Sequence, residues 1–156
     1  MAADLHEFLT RDHERLDALL RACLQGDRAS YAEFRGGLLR HISIEERVLF
    51  PELRKRGVGL AMEQQLHRDH AALAALLVPP PSRVEIEQIA AILEVHNQIE
   101  ENAEGLYELV ESLAGAELAA LMARVHAIPV VRLAPHVDNA LVRSTIETLL
   151  RERLAH

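Results

Sequence analysis

Tryptophan is absent from this 156-residue chain, and Phe and Tyr together make up only 3% of it. A core without large rings must be filled by aliphatic side chains, which suits helices rich in Ala and Leu. The single cysteine, Cys23, excludes an internal disulfide and points to neither a thiolate zinc site nor a redox pair; it reads as a small buried apolar residue. No stretch approaches the roughly 18 uninterrupted apolar residues that a membrane span needs. The opening "MAADLHEFLTRDHERL" has no basic n-region followed by an apolar run, so it does not resemble a secretory signal. We therefore expect a soluble cytoplasmic protein with no membrane partner. A basic excess is also missing: 24 acidic against 17 basic residues leave a net charge of −7, which argues against nucleic acid as a partner.

What the chain does have is 49% hydrophobic residues, enough for one cored domain, and nine histidines. The apolar spacing predicts helix 1 from about Ala3 to Gln25, stopped at "QGD". Helix 2 is expected from about Arg28, with Ser30 and Glu33 as a capping box, to "KRG", where Gly57 can take the left-handed cap. Helix 3 covers about Val58 to Val78 and is halted by "PPP". Helix 4 follows Ser82, with Glu85 as the partner in a second capping box, and runs to about Gly115. Connections this short favour antiparallel neighbours, so residues 1–115 read as an all-α, up-down four-helix bundle. Residues 116–156 form a tail: a short helix near Glu117 to Val125, breaks at Pro129 and Pro135, then an amphipathic helix over about Val137 to Leu154. The tail could cover the bundle or mediate homodimerisation.

The chain repeats itself. "RDHERLDALL" at 11–20 returns as "RDHAALAALL" at 68–77, and "HISIEE" at 41–46 returns as "HNQIEE" at 96–101. The offsets are 57 and 55 residues, so helices 1 and 2 recur as helices 3 and 4. Two copies are too few for a solenoid and fit a helical hairpin duplicated into a pseudo-twofold bundle.

In "LLRHISIEERVLFPEL" the stripe that should face a core runs Phe34, Leu38, His41, Glu45, Val48, Glu52. On helix 4 it runs Ile86, Ile89, Leu93, His96, Glu100, Ala103, Tyr107, Val110. Helix 1 places His13 among Leu9, Leu16 and Leu20; helix 3 places His70 among Leu66, Leu73 and Leu77. Each helix thus points one histidine inward, and two of them add a glutamate. Unpartnered buried carboxylates cost several kcal/mol, and two facing each other repel as well. A cation would neutralise the site; a proton-sharing His–Glu network, or a stripe that is in fact exposed, is the alternative. His and Glu at i and i+4 lie about 5–6 Å apart on one face, so both can reach one centre. The set holds enough ligands for two ions, and mixed imidazole and carboxylate donors suit iron, manganese or zinc.

His13, then His41-x-x-x-Glu45-Glu46, then His70, then His96-x-x-x-Glu100-Glu101, with the flanking "RDHERLDALL" and "EERVLFPEL", resembles the hemerythrin-like HHE cation-binding domain. The resemblance spans roughly residues 4–112. It implies a four-helix bundle around a non-haem di-iron centre with a bridging oxo or hydroxo group. His13, His41, His70 and His96 would be terminal ligands, and Glu45 and Glu100 would bridge the irons. Two departures stand out. The second motif continues as "EENAEGLYELV", one residue longer than the family's pattern and without its proline. Oxygen-carrying hemerythrins also have His-x-x-x-His on the third helix, whereas His67 and His70 here are three apart. Without His67 both irons keep an open position; with it, one remains.

The other ionisable residues receive plainer readings. Glu46 and Glu101 should leave the stripe for solvent or for an outer contact with the ligands. His6 reads as surface, with the edge of the site as the alternative, and Tyr107, two turns after Glu100, reads as a packed aromatic, with a hydroxyl contact to the ligands as the alternative. No role is assigned to His126, His136 or His156. Three functions follow from the resemblance. The first is a di-iron protein that binds or senses dioxygen, nitric oxide or peroxide, or handles iron. The second is an oxidase or peroxidase, and the third a regulatory module whose metal is mainly structural.

Overall fold

The computed structural model describes residues 4–155; Ala3, expected to start the first helix, and His156 lie outside them. Among the described residues there is no strand, and no helix is long and apolar enough to cross a membrane. α1 (Leu5–Leu24) is capped by Asp4, whose side chain accepts from Glu7 N. α2 (Arg28–Ile44) is capped by Asp27, which accepts from Ala29 N and Ser30 N, so the expected capping box of Ser30 and Glu33 does not form. Asp27 stands at the position before the helix from which a side-chain oxygen reaches the free amides, and Ser30 Oγ itself donates to it.

α2 continues through a turn of π-helix, Glu45–Leu49, into α3 (Phe50–Arg56). Pro51 has no N–H and its ring cannot sit against the carbonyl four residues back, while Phe50 N donates five residues back to Glu45 O. The wide turn absorbs the proline without ending the helix. Gly57 then takes the expected left-handed cap, at φ 66°. α4 is Leu60–Leu76. α5 (Arg83–Glu101) follows Ser82, whose side chain makes no capping bond; Glu85, its expected partner, pairs with Arg143 instead.

The fourth long helix is interrupted. α5 stops at Glu101, residues 102–105 turn outward, and α6 (Leu106–Ala114) resumes. Ala103, expected on the buried seam, is therefore exposed, and Ile92 rather than Leu93 is buried one turn before His96. α1, α2 with α3, α4, and α5 with α6 form a ring in which each packs on the next. Beyond a 3₁₀ turn, Gly115–Glu117, come α7 (Leu118–Ala127) and α8 (Ala140–Leu154).

The interior holds two apolar clusters rather than one. Leu5, Leu9, Leu49, Phe50, Leu66 and Val110 belong to the cluster at one end, and α7 adds Leu121 and Val125 to it. Leu16, Leu20, Phe34, Leu38, Leu73 and Ile89 belong to the cluster at the other, which α8 covers with Ile146. Polar side chains lie buried between them.

Candidate metal centre

That middle layer is the histidine and glutamate set. His13 on α1, His41 on α2, His70 on α4 and His96 on α5 are all at most 6% exposed, and Glu45 and Glu100 are fully buried. The six form two groups of four: His13, His41, Glu45 and Glu100, and Glu45, His70, His96 and Glu100, with all ligand atoms of a group within 4.8 Å of one another. Both groups could hold a metal ion, and they share their two carboxylates.

Each glutamate divides its oxygens between the groups. Glu45 turns Oε1 to His41 Nε2 and Oε2 to His70 Nε2, both at 3.0 Å. Glu100 turns Oε2 to His13 Nε2 at 3.0 Å and Oε1 to His96 Nε2 at 2.7 Å. All four imidazoles therefore aim Nε2 inward.

Their outer nitrogens are held by four further carboxylates. His41 Nδ1 lies 2.8 Å from Asp12, and His96 Nδ1 lies 3.0 Å from Asp69, each aspartate coming from the same copy of the repeat. His70 Nδ1 lies 2.8 Å from Glu46 and His13 Nδ1 2.5 Å from Glu101, in both cases across copies. An acceptor at Nδ1 fixes the proton there and leaves the Nε2 lone pair for an ion. Asp12 and Asp69 were missed in the sequence, although each stands beside a histidine, not the one it holds, in the twin "RDH" motifs.

Tyr107 also proves to be more than packing. Its hydroxyl lies 2.7 Å from Glu45 Oε1 and 3.0 Å from Glu100 Oε2, close enough to donate to either. It is also 2.9 Å from His13 Nε2 and 3.1 Å from His41 Nε2, so it meets all four donors of the first group. No phenol meets the second group in this way, and there Glu45 Oε2, Glu100 Oε1 and His70 Nε2 lie close to neighbouring donor atoms without an aligned hydrogen bond. Buried polar atoms left unpaired are costly, and three converging on one point fit a cation. His67 is not in either group: its side chain is 66% exposed and its Nδ1 faces Glu46 at 2.9 Å. His6 Nε2 donates to the backbone carbonyl of Glu101 at 2.9 Å, outside both groups. A cavity of about 560 Å³ between α1 and α5 reaches His13, His41 and His96 from the surface.

The protons in this layer are strongly displaced. Burial works against a charged His41, but the Glu45 charge and the hydrogen bonds to Asp12 and Glu45 outweigh it and raise its pKa to about 10. His96 rises in the same way, against burial and through Glu100 and Asp69, to about 9. Asp12 falls to about 2, since His41 and Arg15 overcome its burial. These shifts set a pH window for the metal-free protein. The histidine contribution is complete below the ordinary value of 6.5 and is lost as pH rises through about 9 and 10. The Asp12 contribution is present above 3.8 and lost as pH falls through about 2. Melting of chelator-treated protein should therefore be highest near pH 5–6 and decline steadily toward pH 10. A melting temperature that climbs between pH 7 and 10 would contradict this proton assignment.

An antiparallel helical bundle with histidines and glutamates in a buried central layer is a hemerythrin-like helical architecture. Residues 4–78 match the hemerythrin HHE cation binding domain. His13, His41, Glu45 and His70 lie inside the match; His96 and Glu100 lie beyond it, in the second copy of the internal repeat. No curated protein and no solved structure gives a match to the chain.

Proposed function

We propose that this chain is a dinuclear non-haem iron protein that binds or senses dioxygen, nitric oxide or peroxide, or handles iron. His13 and His41 would serve one ion, His70 and His96 the other, with Glu45 and Glu100 bridging. The observation that carries this is the division of each glutamate's oxygens between two four-donor groups. Imidazole and carboxylate donors without thiolate suit iron, with manganese or zinc as substitutes. Bound iron would supply reversible electron transfer to a small ligand. The outer carboxylates orient the imidazoles, and Tyr107 holds a hydroxyl proton beside Glu45 and Glu100 on the first side only. His67 lies outside this ligand set, so both ions would keep a position for a small molecule or water. The bundle to about Gly115 would form the metal domain, with the remaining residues as its tail.

The cavity favours a second reading, in which the centre turns over peroxide or an organic substrate. Its volume of about 560 Å³ falls in the range of ligand pockets and far exceeds what a diatomic fills. One preparation tests both readings. Protein reconstituted with iron in air should hold close to two irons per chain and show near-ultraviolet absorption that bleaches on reduction. Little bound iron and no reducible absorption would sink the proposal. Sustained consumption of peroxide with a reductant would select the enzymatic form.

A further inference from the structure

The C-terminal helix has no part in the function proposed above, yet one of its side chains reaches the buried layer. α8 lies along α4 and buries Ile146 at the far apolar cluster. It is tied at its first turn by Arg143, which pairs with Glu85 on α5 and with Asp138. At its last turn the tie is Arg153, whose Nε donates to Asp69 Oδ1 at 3.0 Å. The Asp69 side chain is 2% exposed and that of Arg153 15%, so water competes little for this bond. The other oxygen of Asp69 holds His96 Nδ1, and His96 Nε2 faces Glu100. An unbroken line, Arg153–Asp69–His96–Glu100, thus joins the tail to the second donor group.

The first half of the centre is braced differently. Asp12, which holds His41, has its free oxygen gripped by Arg15 on its own helix, from Nε at 3.0 Å and Nη2 at 2.9 Å. In the repeat, Arg15 corresponds to Ala72, at the same 57-residue offset as His13 and His70. A methyl group cannot donate. The guanidinium that α1 supplies to its own aspartate is therefore missing from α4, where Gln65 gives Asp69 one neutral bond at 3.1 Å and Arg153 gives the charged one.

We infer that Arg153 is a positioning residue for the His70/His96 half of the centre, so that docking of α8 holds that half ready for a cation. The inference rests on the dinuclear reading. Partners of ligating imidazoles fix ring orientation and basicity, and their loss typically weakens metal binding roughly 10–100-fold. Undocking of α8 would accordingly loosen one ion and spare the other, which gives the tail control over half of the site.

The test uses the full chain loaded with cobalt(II), followed by its visible absorption as a chelator removes the metal. Arg153→Ala should release one equivalent about 10–100-fold faster than wild type and the other at the wild-type rate. Arg143→Ala cuts the tie at the opposite end of α8 but keeps Ile146 in the core and the Arg153–Asp69 bond, so α8 should stay docked and both equivalents should leave as in wild type. Arg153→Lys, which keeps the charge but only a point donor, should recover part of the loss. Equal release from Arg153→Ala and Arg143→Ala, or no change in either, overturns the inference while leaving two bound ions in place. Wild type that takes up fewer than two cobalt ions overturns the dinuclear reading, and the inference with it.

Discussion

Glu100→Ala should empty both cation positions at once, taking bound metal from about two ions per chain to near none. Glu100 Oε2 faces the His13 group and Oε1 faces the His96 group, so a single truncation removes a donor from each. The effect should exceed the roughly 10–100-fold typical of an outer partner, because an inner donor is lost at both positions. The remaining layer would hold four imidazoles around one inner carboxylate, with His13 and His96 deprived of their inner acid. Elemental analysis after reconstitution and desalting reads the outcome, and helicity by circular dichroism verifies that the bundle has formed. A Glu100→Ala protein that retains two ions would show that the carboxylate is not shared. Retention of one ion would confine Glu100 to a single position.

Gly105→Ala should be the most damaging small change away from the donors themselves. A Cβ at position 105 would meet three backbone carbonyls at the end of α5: Ile99 O at 2.5 Å, Asn102 O at 2.7 Å and Glu100 O at 2.8 Å. The φ of Gly105, −76°, suits any residue, so the demand is for space and not for a special backbone conformation. Carbonyls in a helix end cannot swing aside as a side chain can, and relief must come from moving α5 against α6. Overpacking of this kind costs about 1–3 kcal/mol, with about 3 expected here because the neighbours are backbone. For a domain of this length that lowers the melting temperature by roughly 6–12 °C. Since Glu100 and Tyr107 flank the turn, the same shift should disturb the inner layer and reduce bound metal. Thermal melts of metal-free protein, wild type against variant, measure the first effect. A melting temperature within about 2 °C of wild type would mean that the turn relaxes freely.

Glu100 and Gly105 also mark where the amino-acid sequence was readable and where it was not. Heptad-like spacing put His41, Glu45, His96 and Glu100 on inward faces, and the twin "RDH" and "IEE" segments tied the two halves together. Both features are local: the face a residue occupies follows from helical geometry, and the four-helix order follows from short connections. The outer carboxylates belong to a different level. Asp12 and Asp69 sit next to their histidines in sequence but bind the imidazole of another helix, and Glu46 and Glu101 bind across copies. Periodicity states which way a side chain points, not what stands opposite. The reach of Tyr107 was only half legible, for a related reason. The "NAEG" turn breaks the period between Glu100 and Tyr107, and only the re-entry of α6 returns the phenol to the layer it had seemed to pass.

The sequence by itself determined an all-helical duplicated bundle, the buried histidines and glutamates within it, and its likeness to a cation-binding family. All of these are written in spacing along single helices and in repetition along the chain. Only the tertiary structure decided how each glutamate splits its oxygens between two groups, which carboxylate steadies which histidine, and that Tyr107 serves one side alone. It also decided that the tail reaches the site through Arg153 and Asp69. Those contacts join residues 84 positions apart in that last case, and no helical period carries information across such a distance.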